Sequence, residues 1–487
     1  MYSDKKVWIA SSDKQIYLYP EMANRHGIIT GASGTGKTVT LRVLAESFSD
    51  AGIPVFFADM KGDVGGICQP GEDTEKMRKR IDKFGIKDFK FKGFPTRFWD
   101  VYGETGHPIR ATMSSMGPSL LARLMNLSDV QADVLTVVFR ICRDEGWDLI
   151  DSKDLSAVLQ YVNDNKNDYI SEYGNMSTQS LGAIQRALRS LEDEGGDIFF
   201  GEPAIDLEDW MQTDKDGRGY INVLNSEKLS RSPKLYGTFM MWLMQDLFEK
   251  LPEAGDVDKP KLVFFFDEAH MLFSDAPKAL VQKIEQMVKL IRSKGVGIYF
   301  VSQSPSDIPD SVLAQLSNRI QHALRAYTPA EQKAVKAAAT AFRANKAFKT
   351  EEAIMELGVG EALVSCLDEN GTPSIVERAF ILPPQSSLKA LDKAGYDKVV
   401  KASPFDKKYR ERVDRTSAYE MIKKLNEKAK KEEPKAAPAK ASTAKKTTTT
   451  KKTSSAVSKT AERAVGRAAS SAGRAIGNGI IRSFLKK

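Results

Sequence analysis

The stretch Gly31-Ala-Ser-Gly-Thr-Gly-Lys-Thr38 constrains this chain more than any other. Its two outer glycines stand five apart, and Lys and Thr follow the second. Glycines at that spacing let successive backbone N–H groups curl around a phosphate, and a helix just after them aims its positive end at the same point. The chemistry therefore demands a buried strand before the loop and a helix behind it. Both are predicted. His26–Thr30 reads as a short buried strand, and Leu41, Leu44, Ala45 and Phe48 recur at helical spacing. Ala51-Gly-Ile-Pro54 ends that helix, and Val55–Asp59 is a second apolar strand. Strand, loop, helix and strand in this order make one βαβ unit of a parallel sheet. Gly31, Ser33, Gly34, Thr35 and Gly36 are then expected to cradle phosphates. Lys37 would reach the outer phosphates, and the Thr38 hydroxyl would face Mg²⁺.

Later strands supply the remaining chemistry. Leu262–Phe266 is a continuous apolar run ending in Asp267-Glu268. A carboxylate at the end of a buried strand can hold Mg²⁺, so Asp267 is the metal candidate, and the adjacent Glu268 can act as general base on a water. Two carboxylates argue for hydrolysis rather than nucleotide binding alone. Val296–Ser302 is a further strand, and Gln303 at its end could orient that water or sense the terminal phosphate. A fifth strand is expected around Arg319–Ala326. Arg319 is a candidate for stabilising transition-state charge, with a surface ion pair as the plain reading and Arg292 and Arg325 as rivals. Asp59-Met-Lys-Gly-Asp63 follows the second strand. Asp59 could position metal or water there, but a solvated turn explains the same residues equally well. All these groups follow a strand's carboxyl end, where open α/β sheets bind ligands.

The stretch from about 110 to 255 has a different character. Gln131–Arg143, Asp154–Val162, Thr178–Glu194 and Leu235–Leu251 read as helices, with a small β element around Tyr220–Leu224. Residues 357–383 read as a hairpin, Ala362–Leu367 and Ser374–Leu382 flanking Asp368-Glu-Asn-Gly371. Asp214-Lys-Asp-Gly217 has the look of a calcium loop, but its twelfth position is Val223, so the bidentate acid is missing and a turn is expected. His26, His107, His270 and His322 show no metal-ligand spacing. The segments expected are 1–110 as the first part of the core, 111–255 as a mostly helical insertion, 256–385 as the second part with its hairpin, 386–426 as a helical extension, and 427–487 as a basic tail.

Charge separates that tail from the rest. The whole chain of 487 residues carries 72 Lys+Arg and 64 Asp+Glu, a net of +8. Residues 421–487 hold 18 against 4, a net of +14, which leaves 54 against 60, or −6, for residues 1–420. The basic overall balance thus belongs to the tail and does not make the body a nucleic-acid binder. The tail's Lys, Ala, Thr, Ser and Pro cannot bury enough apolar surface to fold alone, so disorder is expected. Within it Val465, Ala469, Ala472, Ile476, Ile480 and Phe484 recur at helical spacing opposite Arg463, Arg467 and Arg474, interrupted by glycines. Nucleic acid, an anionic membrane surface and a protein partner's groove are all open as its target, as is a purely solubilising role. At 41% hydrophobic residues the chain can build a real core. Three dispersed cysteines, no apolar run near the ~20 residues of a membrane span, and an N-terminus without an apolar h-region point to the cytoplasm.

Six blocks occur together in order: Gly31–Thr38, Phe57–Asp63, Lys261–His270, Ile291–Gly297, Gln315–Arg325 and Leu357–Leu363. Across residues 5–385 the chain thereby resembles bacterial HerA-like ATPases of the YjgR type, in the HerA/FtsK superfamily of P-loop NTPases. The archaeal helicases of that superfamily carry a β-barrel before the P-loop, whereas Gly31 here follows only 30 residues. The resemblance implies an α/β fold with a RecA-like P-loop core and a mainly parallel sheet. It implies ATP as substrate, Mg²⁺ as cofactor, and a homo-oligomer, hexameric, with DNA in its pore. It places phosphate sensing on Gln303 and a trans-acting arginine on Arg319. The expected function is an ATP-driven DNA translocase or helicase-like motor. An ATPase that remodels protein partners and a nucleotide-gated scaffold remain as alternatives.

Overall fold

A computed structural model describes residues 1–432 except 87, 256 and 274–277. The basic tail and its expected amphipathic helix lie outside the described residues. The strands in chain order are β1 (Tyr2–Ser3), β2 (Lys6–Ser11), β3 (Gln15–Leu18), β4 (Gly27–Thr30), β5 (Val55–Asp59), β6 (Thr96–Asp100), β7 (His107–Pro108), β8 (Ile221–Asn225), β9 (Leu262–Phe266), β10 (Val296–Ser302), β11 (Asn318–Gln321), β12 (Glu361–Ser365) and β13 (Glu377–Ile381). They form one sheet in the order β1-β2-β13-β12-β11-β4-β10-β9-β5-β8-β6-β7, with β3 also on β2. From β11 to β7 every neighbouring pair is parallel. From β11 outward to β1 the pairs are antiparallel.

The central strands are buried on both faces, so they read as unbroken apolar runs rather than alternating ones. Alternate residues still serve different layers. Phe56, Leu262, Phe264, Phe266, Ile298 and Phe300 pack with the helices of the middle of the chain. Val55, Phe57, Val263, Phe265, Tyr299 and Val301 pack with helix α1 (Lys37–Asp50), through Leu41, Leu44, Ala45 and Phe48, and with the later helix Lys393–Ala402. Each fully buried Phe contributes roughly 2–3 kcal/mol of transfer free energy, so the sheet's two faces dominate stability.

The middle helices are Met113–Leu124, Asp129–Glu145, Ser152–Asp164, Lys166–Tyr173, Thr178–Leu191 and Pro233–Lys250. Local sequence sets their ends. Ser128 and Gln131 form a capping box before Asp129, and Gly146, at φ 70°, closes the same helix in the left-handed region. Asp151 and Asp154 form another box, and Asp154 also accepts the backbone N–H of Tyr419, tying in the helix Ala418–Glu432.

Three details differ from the sequence reading. The β element expected near Tyr220 is β8, a full member of the sheet between β5 and β6. The fifth strand is Asn318–Gln321 and stops short of Ala326. The hairpin strands pair Glu361 with Phe380 and Val364 with Glu377. Those strands end earlier and start later than expected, while the turn falls on Asp368–Gly371 as expected, closed by Gly371 N–H on Asp368 O at 2.9 Å. Asp214-Lys-Asp-Gly217 is a turn. Its Asp214 accepts the N–H of Asp216 and of Arg218 and is forked by the Arg218 guanidinium. No helix among the described residues is long and apolar enough to cross a membrane.

Candidate nucleotide site

Strand β4 delivers the chain into the glycine loop at the carboxyl edge of the sheet. Thr30 is fixed there by its hydroxyl on Gln321 Oε1 at 2.7 Å. Gly31 has φ +150°, and a Cβ on it would lie 2.5 Å from His322 Cβ, so only glycine passes this crossing of β4 and β11. The loop then turns on its own groups. Ala32 N–H donates to Ala323 O at 2.8 Å, and Thr35 Oγ1 donates to Ala32 O at 2.7 Å. Helix α1 starts at Lys37 immediately after Gly36, at φ 120°. Thr35 is thus a buried support of the loop, whereas Ser33, Gly34 and Thr38 are exposed to solvent.

Lys37 folds back over the loop, donating to Gly31 O at 2.6 Å and Ala32 O at 3.2 Å. Burial lowers its pKa, and the nearby Glu268 and Asp267 carboxylates only partly restore it. Across a cleft of about 280 Å³ stand Asp267 and Glu268, just after β9. Burial drives the Asp267 pKa up to about 7, the neighbouring Glu268 adds to the rise, and Lys37 opposes it. Its Oδ1 accepts the Glu268 N–H at 2.9 Å, and its backbone carbonyl takes the hydroxyl of the buried Tyr236 at 2.8 Å. Glu268 itself has φ 48°, a left-handed conformation that a non-glycine residue keeps only under local constraint. Its carboxylate lies 3.3 Å from His270 Nδ1.

Asp59 also borders the cleft, at the end of β5. Its carboxylate is buried and accepts Val64 N–H at 2.9 Å and Lys61 N–H at 3.3 Å, closing its own turn. Burial raises its pKa. The structure therefore brings together Ser33, Gly34, Gly36, Lys37, Thr38, Asp59, Asp267 and Glu268 around one cavity, with Gly31 and Thr35 as its frame.

Two residues stand apart. Gln303 is exposed beyond β10 and borders an adjacent depression with His270, Phe273 and Asp307. Arg319 is half-buried on β11, donates to Leu313 O at 3.1 Å, and lines a small crevice with Ile28 and Thr30. Its rival Arg325 donates to the carbonyls of Met355 and Leu357. Sequence reasoning missed Val359 at the cleft rim and His322, which braces the loop. A valine between two glycines has no periodicity to reveal it, and a lone histidine is indistinguishable from an ordinary core residue.

A mainly parallel sheet with a glycine loop at its carboxyl edge after β4, and an acidic pair after β9 with β10 between the two, defines a RecA-like P-loop core. The chain belongs to the family described as Helicase HerA-like C-terminal, whose model matches residues 4–487. Solved structures share the fold. VirB4 of Thermoanaerobacter pseudethanolicus superposes with a TM-score of 0.51 at 14% identity, over 79% of this chain and 97% of that one. The bacterial conjugative coupling protein TrwBdeltaN70, in a trigonal form with sulphate, gives 0.52 at 14% identity, over 80% and 92%. TrwB in complex with the non-hydrolysable ATP analogue ADPNP gives 0.51 at 14%, over 77% and 89%. Comparison with curated proteins returns no match.

Proposed function

We propose that this chain is a Mg²⁺-dependent ATPase of the YjgR type, working in the cytoplasm as an oligomeric, hexameric motor that translocates on DNA. The observation that carries the reading is the cleft in which Lys37 and Thr38 face Asp267 and Glu268. The ATP-analogue complex of the similarly folded TrwB supports the choice of nucleotide.

The loop amides would bind the β-phosphate, and Lys37 would exchange the carbonyls of Gly31 and Ala32 for phosphate oxygens. Mg²⁺ fits the residues present. Asp267 is a carboxylate whose burial makes its charge costly without a counter-cation, and the Thr38 hydroxyl is exposed nearby. Bound Mg²⁺ would offset phosphate charge between those two groups. Glu268 would take the proton of the attacking water as its oxygen closes on the γ-phosphorus, while the bond from that phosphorus to the β–γ bridging oxygen breaks and ADP and inorganic phosphate leave. Gln303 would sense the γ-phosphate from the neighbouring depression. Arg319, once released from Leu313 O, would serve a neighbouring protomer's site.

The test is ATP hydrolysis with and without duplex and single-stranded DNA, on the full chain and on a chain ending at residue 426. Several-fold stimulation that fades with salt is expected for a DNA track. A hexameric preparation that hydrolyses ATP without responding to DNA overturns the translocase reading and favours protein remodelling. Absence of hydrolysis favours the scaffold. Loss of DNA affinity on truncation, with basal hydrolysis intact, would make the tail a tether.

A further inference from the structure

The cleft holds many polar groups for phosphates and metal, but a nucleoside also needs an apolar wall. On the rim stands Val359, 76% exposed, which also lines the cavity. A lone exposed valine on a surface means little. This one sits on a turn that the protein fixes from several directions. Arg325 donates to Leu357 O at 3.2 Å. Glu361 Oε2 accepts Gly358 N–H at 2.9 Å, and Glu361 N–H returns to Gly358 O at 3.1 Å. Gly360, at φ +77°, donates to Thr35 O of the phosphate loop at 3.0 Å and accepts from Ile381 N–H at 3.0 Å. The backbone polar groups on both sides of Val359 are thus committed within the protein, and the turn is bonded directly to the phosphate loop. A rigid tip that keeps an apolar side chain in water beside a phosphate site is organised for a flat apolar partner.

We infer that Val359 packs against the nucleoside base, with the Leu357–Gly360 turn as the base-side wall of the site. The inference rests on the nucleotide reading of the cleft. Burying the valine methyls under a base removes apolar area from water on both partners, while polyphosphate binding does not involve them. Val359 is a binding residue and takes no part in hydrolysis.

The experiment measures dissociation constants of ADP and of inorganic tripolyphosphate by calorimetry, for the full chain and for Val359→Ala, Val359→Asp and Val359→Ile. Val359→Asp should weaken ADP at least tenfold and Val359→Ala about threefold. Val359→Ile should stay near wild type. Tripolyphosphate, corrected for the added charge by comparison with Val359→Ala, should change less than twofold. ADP affinity unchanged in both Val359→Ala and Val359→Asp overturns the assignment, and so does equal weakening of ADP and tripolyphosphate in Val359→Ala. If the unsubstituted chain binds neither ligand, the nucleotide reading itself falls, and the assignment with it. Since Val359 is exposed, misfolding is not expected, and the Val359→Ile result checks it.

Discussion

His322 Nε2 lies 2.8 Å from Thr40 Oγ1 on the first turns of α1, while His322 Nδ1 meets Glu361 O at 2.9 Å. One buried ring thereby joins the phosphate-loop helix, the end of β11 and the start of β12. His322→Ala removes both contacts and leaves a cavity against Gly31. We expect a loss of about 1–3 kcal/mol in urea unfolding, together with weaker ADP binding, because the 358–360 turn loses its register with the loop. Unaltered stability and affinity would show that the ring merely fills space.

Acid should act through the same ring. Burial lowers the pKa of His26, His107 and His322 from 6.5 to about 4. In the unfolded chain these imidazoles take up protons near 6.5, while the folded protein keeps them neutral until about 4. Stability that is full above 6.5 is therefore lost as pH falls toward 4. Buried carboxylates, Asp267 above all, titrate in the opposite sense, so the wild-type slope mixes the two. His322→Gln isolates one histidine. The dependence of unfolding free energy on pH between 6.5 and 4.5 should become shallower by about one proton, near 1.4 kcal/mol per pH unit. Parallel slopes in the two proteins would count against a neutral buried His322.

Glu268→Gln should keep ATP affinity within a few-fold, since the change removes a charge and leaves the side chain's shape. Turnover should fall by about 10²–10⁴, the usual contribution of a general base. Single-turnover hydrolysis after binding separates the two effects. Retained turnover would remove Glu268 from its role as base.

Lys37→Ala tests the phosphate site without threatening the fold. Among the described residues, Lys37 hydrogen-bonds only loop carbonyls. Its loss should leave far-UV circular dichroism unchanged and reduce ADP affinity at least tenfold. Unchanged affinity would place the phosphates elsewhere.

Glu46 on α1 makes a purely structural counterpart. Its buried carboxylate accepts the N–H groups of Gln385 at 2.8 Å and Ser386 at 3.1 Å, and burial raises its pKa. Glu46→Ala strands those two donors inside the protein. A destabilisation of about 2–5 kcal/mol is expected, read by urea unfolding. A loss below about 0.5 kcal/mol would mean that the segment after β13 re-bonds on its own.

The parts of the fold that were legible in the sequence share a physical cause. β4, β5, β9 and β10 are short apolar runs buried on both faces, and each ends at or just before a glycine or polar residue. β6 has no plain strand signature in the sequence, because Thr96-Arg-Phe-Trp-Asp100 carries an arginine. Arg97 is buried all the same, its guanidinium 3.6 Å from the Tyr220 ring centroid and bonded to Asp209 O. The glycine loop and the Asp267–Glu268 pair stand out in the sequence because each directly follows a short apolar run, and the structure sets both around one cleft. Gln303 follows β10 and borders the neighbouring depression, and Arg319 sits near the start of β11 beside Ile28, short of the carboxyl edge, so neither lines the cleft. Val359 emerges only from the register that sets β12 beside β11.

The stretch between β7 and β9 includes helices that cover much of one face of the sheet, where Phe56, Trp99, Leu224 and Phe264 pack against them. What looks in sequence like an interruption is, in space, half of the molecule's upholstery. It also threads β8 between β5 and β6 on its way back. A recombinant chain that skipped from β7 to β9 would lose a load path through the sheet as well as its cover. Grafting the phosphate loop alone onto another protein would therefore transplant the motif without the building that holds it.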